Sequence, residues 1–419
     1  MMRIDKCLWR VFALTLGLGL TPLALALASE LTLAKALTFA AEEHPSVKAK
    51  SGELLAAQKD IDAARWGRAP RLSVQATSSD GQPQAAMVLQ QPLWAGGKID
   101  AQISLSEAAY QQAEAALQET RQGLLLQTAG AFFEVLRLRA RTELARKNEQ
   151  EHTKLLEMMD RRVKTEISPV ADQILARARL QQAVSERIQL DRGLQNALLA
   201  LDQLVGPMGG SPRTPTRKTW SMPDEPLMLA SAQENSGELR RLRYQMDIAQ
   251  AQIQLAQSGF WPILSLTHRR ALGGPGVVTQ STRNQTFLSL DMSPGAGLSA
   301  ASQADAAKAR MDAASQGVDV YKRQLEQQVR NSLAEWRALQ EQQPTSMALV
   351  QATEEVVASY LRQYQIGRKN WLDVLNALRE SAQAGYTAVD IDLGMQTAQV
   401  RLMLLSGMLR LDNLELIHD

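Results

Sequence analysis

The residue types that most often catalyse reactions or bind metals do not form a recognisable site in this sequence. The histidines are far apart and lack metal-ligand spacing: they are His44, His152, His268 and His418. No G-x-S-x-G, P-loop or H-E-x-x-H pattern occurs among the many serines and carboxylates. We therefore expect no enzymatic activity and no bound metal or cofactor.

Two aspartates are more informative, because each follows a reversal of the chain at the same point of two similar stretches. Asp172 follows the turn at 167–169, and Asp373 follows the turn at 367–370. A carboxylate in the first turn of a helix is stabilised by the helix dipole, which is a purely structural role. Repeated by symmetry around a narrow pore, the same carboxylates would attract cations. The residues alone leave both interpretations open.

The two turns end unusually long helical stretches. Residues 98–168 contain no proline and are rich in Ala, Leu, Gln, Glu and Arg, which are good helix formers. Apolar residues recur through this stretch at helical spacing. A continuous helix here would be roughly 100 Å long, which indicates a coiled coil, a helical repeat or a bridge between two distant places.

The long stretch belongs to a unit that occurs twice. Arg161 and Asp172 correspond to Arg362 and Asp373 at one constant offset. Each unit is predicted to be a half-length helix, a β-hairpin, a long helix, a reversal and a second half-length helix. The first repeat is 29–205, with elements at 31–65, 71–93, 98–167 and 170–204, and the second is 227–411, with elements at 227–258, 263–292, 297–366 and 371–411.

Prolines predict two irregularities in this scheme. Residues 206–226 contain five prolines and three glycines, which indicates a linker or an irregular segment packed on the outside. Pro344 lies midway along the second long helix, so we expect a kink or break near Gln343.

Residues 1–28 have the features of a secretory signal peptide. A basic start precedes an apolar run from Val11 to Leu27, and Ala26-Leu27-Ala28 fits a cleavage site. We expect an exported chain; the alternative is a retained membrane anchor. The only cysteine, Cys7, lies within the signal, so the mature chain should have no disulfide and no lipid-anchoring cysteine.

Charge and hydropathy narrow the class of protein further. The chain has 46 Lys and Arg residues against 44 Asp and Glu residues, and removal of the signal leaves it close to neutral, which gives no support for nucleic-acid binding. No later run approaches 18 consecutive apolar residues, so no transmembrane helix is predicted. Such an exported chain is periplasmic, secreted or an outer-membrane β-protein.

The predicted hairpin strands have roughly eight to ten residues, about the length that crosses a bilayer when tilted. Four strands cannot close a barrel, and open sheet edges are not tolerated in lipid. Insertion into a membrane would therefore require oligomerisation, and three copies would supply twelve strands.

The order and spacing of these features resemble the outer-membrane efflux protein (TolC) family. The resemblance covers 31–410 and rests on the signal peptide, the tandem repeat, Gln91-Pro92-Leu93-Trp94-Ala95-Gly96-Gly97, and Tyr364-Gln365-Ile366-Gly367 followed by Asp373. It implies a mainly α fold with a small β part. The implied assembly is a homotrimer, in which a 12-stranded β-barrel in outer-membrane lipid continues as a long α-helical barrel across the periplasm.

The resemblance also implies a function and partners. The chain would be the exit duct of a tripartite export system, a passive conduit for substrate delivered by an inner-membrane ABC or RND-type pump and a periplasmic adaptor. The family serves type I protein secretion and efflux, and the lack of a lipid-anchoring cysteine slightly favours secretion. The adaptor-docking tips would be Ile167, Ser168 and Pro169 in the first repeat and Ile366, Gly367 and Arg368 in the second.

By position in the family, a periplasmic gate would consist of Asp172, Tyr364, Lys369, Asp373 and Asn376. Tyr364 and Lys369 would bond to Asp172, and Asp373 would line the constriction. Several relatives have a further Asp at the position of Asn376, so this constriction should be less acidic. Glu166 replaces an expected glycine, which raises a question about the shape of the first tip.

The membrane junction is predicted at Trp66, Trp94, Gly96, Gly97 and Trp261. Tryptophans are common at membrane interfaces, and the alternative role for these three is core packing. Two other classes of protein remain as alternatives. A periplasmic adaptor would have one helical hairpin and a long β-rich remainder, and a structural coiled coil would not need two matching hairpins.

Overall fold

The computed structural model describes residues 31–79, 82–206, 210–215, 222–273, 284–293, 299–411 and 413. The predicted signal peptide at 1–28 lies outside these residues, as do parts of the predicted linker, at 207–209 and 216–221. Within the described ranges, no helix combines the length and the apolar character needed to cross a membrane.

Two helices replace the single helix predicted for 31–65. Helix α1 spans Leu33–Glu42 and α2 spans Pro45–Arg65. Pro45 causes the break, because a proline disfavours helical backbone in the residue before it. His44 is accordingly extended, with ψ of 137°, and its Nδ1 accepts a hydrogen bond from the backbone N–H of Ser46 at 3.2 Å. A short 3-10 turn, Trp66–Arg68, then leads towards the first strand.

The two predicted hairpins form one antiparallel sheet in the order β1-β2-β3-β4. The strands are β1 (Arg71–Ser79), β2 (Gln82–Trp94), β3 (Ile263–Gly273) and β4 (Asn284–Asp291). Strand β2 pairs with β3, for example at Leu89 opposite His268, so the sheet joins the two repeats. The register shifts between Pro92 and Trp94, close to where β2 ends.

Each repeat then forms a long helix and a shorter antiparallel partner. In the first repeat α3 spans Lys98–Lys164 and α4 spans Val170–Val205. In the second repeat α7 spans Ser299–Gln365 and α8 spans Trp371–Leu405. The long helices have 67 residues each, which corresponds to about 100 Å at the usual rise per residue.

The helix predicted at 227–258 is also divided, into α5 (Glu225–Asn235) and α6 (Gly237–Ser258). Ser236 lies between them with ψ of 116°, and its hydroxyl accepts a hydrogen bond from Leu239 N–H as the cap of α6. Gly237 allows α6 to approach α3 closely, since a Cβ here would lie 2.6 Å from the backbone nitrogen of Glu119. The break was missed because it carries no proline.

The second repeat differs from its predicted form in two places. Helix α7 is not broken at Pro344 but continues through it, and the predicted kink there stays a prediction. The side chain of Gln343 donates to Asp392 of α8 at 2.7 Å, which holds this turn although the proline lacks an N–H. The last helix ends at Leu405 and not at 411, because Gly407 adopts a left-handed conformation with φ of 68°.

The described part of 206–226 packs on the helices. Leu31 forms a parallel bridge with Pro212, and the guanidinium of Arg139 in α3 donates to the Pro212 carbonyl at 2.6 Å. The main core lies at the same level. It joins α1, α3 and the ends of α4 and α8 around Phe132, whose ring meets that of Phe133 edge-on at 6.0 Å. A second apolar cluster lies at the far end of the long helices.

One group of charged residues joins α3 to α6. The Nε–H of Arg241 lies 2.7 Å from Glu119 Oε2 and 3.0 Å from Glu238 Oε2, so two carboxylates share one donor. Desolvation, and then the neighbouring Glu238, raises the pKa of Glu119 to about 7. Burial acts to raise the pKa of Glu238, but hydrogen bonds from Arg241 and Glu119 lower it overall. One proton is therefore bound preferentially at Glu119.

We predict that Glu119→Gln removes a pH-dependent loss of stability. A carboxyl whose pKa is raised on folding stabilises the fold below its unfolded pKa, near 4.5, and this contribution disappears as the pH rises through about 7. The melting temperature of Glu119→Gln minus that of wild type should therefore be more positive at pH 8 than at pH 5. Glu114→Gln, an exposed change on the same helix, should show no such trend. An equal difference at both pH values would contradict the prediction.

Candidate functional site

The turns that end the two long helices have the same backbone hydrogen bonds. In the first turn Ile167 N–H donates to Arg162 O at 2.9 Å, and in the second Arg368 N–H donates to Gln363 O at 2.9 Å. This pattern needs a residue with positive φ one position past the helix cap, which is usually glycine. Gly367 supplies it in the second turn.

Glu166 supplies the same conformation in the first turn, with φ of 57°. It is the only non-glycine residue with positive φ in the described chain. The departure from glycine therefore leaves the shape of the turn unchanged but strains its backbone, because an L side chain is disfavoured in the left-handed region. The two turns together form what we call the tip of the chain, residues 162–172 and 363–376.

Tyr364 holds the two halves of the tip together. It is only 7% exposed, and its ring lies 5.3 Å from that of Trp371 and 4.9 Å from the guanidinium of Arg162. Its hydroxyl is 3.5 Å from Ser168 Oγ and 4.0 Å from Met159 Sδ, both in the first repeat. Tyr364 therefore makes a buried contact between α7, α8 and the first turn.

The expected bonds from Tyr364 and Lys369 to Asp172 are not formed among the described residues of this chain. Tyr364 contacts Ser168, as above. Lys369 Nζ lies 3.8 Å from Asp373 Oδ2 and 4.2 Å from the centre of the Tyr360 ring. The difference arises because Lys369 directly precedes the capping Asn370 and Asp373 lies in the first turn of α8, which leaves their side chains close together.

Asp373 also caps α8. Its carboxylate accepts a hydrogen bond from Asn370 N–H at 3.4 Å, while the Asn370 side chain accepts one from the backbone of Asp373, which is a capping box. Asp172 occupies the matching place in the first turn of α4. Asn376 lies one turn further along α8 and is half-buried. The structure thus brings these acids to one end of the molecule and shows the structural role of Asp373.

The apolar side chains of the turns point into solvent. Ile167 and Ile366 are 64% and 66% exposed, and Pro169, Gly367 and Arg368 are also exposed, whereas Ser168 is half-buried. Sequence reasoning missed Met159, Arg162 and Trp371, which contact Tyr364. Trp371 could have been found, because a tryptophan directly after the capping Asn370 is positioned to cover a helix end.

The other predicted site joins the sheet to the helices. Gly96 has φ of 59°, and a Cβ at this residue would lie 2.3 Å from Cβ of Trp261. Gly97, with φ of 83°, caps α3 and has open space around it. The rings of Trp94 and Trp261 meet edge-on at 6.3 Å. The side-chain amide of Gln91 donates to Arg68 O at 2.9 Å and holds the 3-10 turn against the end of β2.

Trp66 lies in that 3-10 turn and is 74% exposed. Trp94 and Trp261 are also largely exposed despite their contact. Packing in the core of the single chain, the alternative role for these residues, is therefore wrong for Trp66 and accounts for only one face of the other two rings.

The two faces of the sheet differ in polarity. One face presents exposed apolar side chains on all four strands, including Leu72, Val74, Leu89, Leu266, Leu288 and Leu290. The opposite face has buried Ser265 and Thr267 on β3, with Ser289 beside them on β4. Strands β1 and β4 are the two edges of this sheet. The sheet is thus suited to apolar surroundings on one side and polar surroundings on the other. The outer backbone N–H and C=O groups of the two edge strands can form further ladder hydrogen bonds.

The histidines have local roles where they are described. His44 caps α2, and Nδ1 of His268 lies 2.8 Å from Thr286 Oγ1. His152 is buried, and desolvation, together with nearby Arg179, lowers its pKa. His418 lies outside the described residues. Across the described ranges, no three His, Cys, Asp or Glu side chains come close enough together to hold a metal ion.

We predict that Glu166→Gly stabilises the first turn by about 1 kcal/mol, because glycine adopts positive φ without strain. Hydrogen exchange at Ile167 N–H should slow about fivefold, since about 1 kcal/mol corresponds to that ratio. Gly367→Ala is the matched opposite change, as a Cβ there meets nothing within 4 Å. It should speed exchange at Arg368 N–H by a similar factor, and equal exchange in all variants would disprove the strain.

Comparison with known proteins gives one consistent result. The family model described as Outer membrane efflux protein matches residues 37–207 and 228–408, one segment for each repeat. The Outer membrane protein TolC of Escherichia coli is 24% identical over 398 residues, which are 85% of this chain and 79% of that protein. The TolC protein of Vibrio cholerae is 26% identical over 168 residues, covering 39% of this chain and only 38% of that protein.

A solved structure with a similar fold is also an outer membrane channel. The Campylobacter jejuni CmeC outer membrane channel superposes with a TM-score of 0.78 at 15% identity, covering 90% of this chain and 85% of that one. A periplasmic adaptor or a structural coiled coil, the two alternative classes, is not favoured by these findings. The chain belongs to the outer membrane efflux protein family, and it is an outer-membrane channel that extends into the periplasm.

Proposed function

We propose that three copies of this chain form the passive exit duct of a tripartite export system. The sheet is the observation that carries this proposal. It has an apolar face for lipid and two edges that require partners, and lipid tolerates no unpaired edge. Three copies joined edge to edge would provide twelve strands and satisfy those edges, with the apolar face towards outer-membrane lipid.

The helices support the remaining parts of the proposal. An α-helix of about 100 Å leads away from each hairpin, so the tip lies far from the membrane. The exposed Ile167 and Ile366 would contact a periplasmic adaptor, which passes on substrate from an inner-membrane pump of the ABC or RND type. Type I protein secretion is the slightly favoured branch, and small-molecule efflux is the other. The energy comes from the pump, and the duct performs no chemical step.

The exposed tryptophans support placing the membrane boundary at the junction. Trp66, Trp94 and Trp261 all lie where the sheet meets the helices. Amphipathic rings are favoured at the level of lipid headgroups. Gly96 would keep this boundary compact, because the backbone at this point lies directly against Trp261.

The tip would act as the gate. Opening a pore at the tip requires the α7–α8 turn to move relative to the α3–α4 turn, and Tyr364 is buried between them. Three copies would place Asp172 and Asp373 around one axis, with Asn376 behind them. The acids would then form a ring that favours cations, in addition to the capping role of Asp373.

We predict that the chain fractionates with the outer membrane and that chemical crosslinking captures a trimer. Both outcomes follow from the need to pair the edges of the sheet before it can lie in lipid. The measurement is density fractionation of membranes followed by electrophoresis after crosslinking. A soluble monomer in the periplasmic fraction would disprove the proposed duct.

We predict that Tyr364→Ala raises the resting conductance of the channel in planar bilayers. Removing a buried aromatic side chain costs about 3–5 kcal/mol, which weakens the contact between the two turns. Ile366→Ala, an exposed change two residues away, is the control and should conduct like wild type.

The same recordings test the ring of acids. Asp373→Asn keeps an acceptor for the cap but removes the charge, so cation preference should fall. If Tyr364→Ala conducts like wild type, Tyr364 does not hold the gate closed. If Asp373→Asn keeps its cation preference, Asp373 does not line the pore.

A further inference from the structure

A cavity of about 360 Å³ lies midway along the molecule, remote from the tip and from the sheet. It is lined by the middle of α3, the corner between α5 and α6, and the turn after α8, and it is partly open to solvent. Its polar lining consists of Gln118, Arg121, Gln122, Asn235, Arg240 and Arg410, and its apolar lining of Leu125, Leu404, Leu409 and Leu411. We propose that this cavity binds a small oxyanion with an apolar body, such as a medium-chain carboxylate.

The charge of the lining is one argument for an anion. Three guanidinium groups line the cavity, and none of the described residues that line it is acidic. Guanidinium groups match the planar geometry of carboxylates and phosphates, which they bind with paired hydrogen bonds. Arg240 and Arg410 are exposed, so a ligand can reach their guanidinium groups from solution.

Arg121 supplies a second, independent argument. Its Nε is buried but has no hydrogen-bond partner among the described residues. A buried donor without an acceptor costs about 1–3 kcal/mol, and such groups in native proteins usually have a partner. An oxyanion in the cavity that Arg121 lines would provide that acceptor.

The walls are held in place before any ligand binds. The amide of Gln122 donates to Asn235 O at 2.6 Å and accepts from Gly237 N–H at 2.8 Å, so α3 is joined to the α5–α6 corner. Arg410 Nε donates to Gly407 O at 2.9 Å, and the same guanidinium donates to the Asn235 side chain. A Cβ at Gly407 would lie 2.5 Å from that side chain, so the turn after α8 packs directly on the corner.

The four leucines decide the kind of oxyanion. Leu125, Leu404 and Leu409 belong to the main core and present only one side to the cavity. A bare phosphate would not cover that apolar side, whereas a short alkyl chain would. The volume lies at the lower end of the range for small-molecule sites. Each methylene buried against the leucines should tighten binding roughly fourfold.

The test is isothermal titration calorimetry of the full-length protein in lipid nanodiscs, with hexanoate, acetate and inorganic phosphate as probes at constant ionic strength. Hexanoate should bind at least tenfold more tightly than acetate. Arg121→Gln and Arg240→Gln should each weaken hexanoate binding about tenfold or more. The matched control is Arg243→Gln, which removes the same charge from α6, the helix of Arg240, at a position outside the cavity. It should bind hexanoate like wild type.

Each result decides one part of the proposal. Unchanged hexanoate affinity in Arg121→Gln and Arg240→Gln would overturn the anion site, and Arg240 covers the case in which the Arg121 variant does not fold. Equal affinity for hexanoate and acetate would overturn the role of the leucines. Preferential binding of phosphate would overturn the carboxylate assignment. The cavity is far from the tip, so none of these results depends on the proposed duct.

Discussion

The dominant constraint on this chain is that backbone N–H and C=O groups cannot remain unpaired in lipid. A helix satisfies them internally, but a sheet of four strands always has two open edges. The sheet here has β1 and β4 as its edges and an exposed apolar face. The tandem repeat joins two hairpins through β2 and β3. In the proposed trimer, further copies of the chain would pair with the two remaining edges.

The same duplication explains why the two ends of the molecule are built differently. At the sheet, the repeats are joined by backbone pairing, and Gly96 allows the chain to turn into α3 against Trp261. At the tip, they are joined by side chains around Tyr364. Backbone pairing has a fixed register and resists change, whereas packed side chains can separate and repack. In the proposed duct, this difference would give a rigid membrane end and a movable tip.

Much of the fold could be predicted from the sequence, because helix length, proline positions and strand alternation are local signals. The offset between Asp172 and Asp373 indicated the duplication, and the hairpins and both long helices lie close to their predicted positions. The errors came where tertiary contacts override local preference. The helix break at Ser236 depends on close packing of Gly237 against α3, and α7 passes through Pro344 because its neighbour α8 holds that turn.

The sequence was enough to predict the type and order of the elements, the positions of the two turns and several of the residues at the tip. Which of the tip residues are in contact depends on the tertiary structure. Tyr364 contacts Ser168 and not Asp172, and Lys369 pairs with Asp373. Glu166 adopts the left-handed conformation that glycine usually supplies in such a turn. The reason is physical. Periodicity and caps depend on neighbours along the chain, whereas a side-chain partner depends on how two distant helices rotate and approach each other.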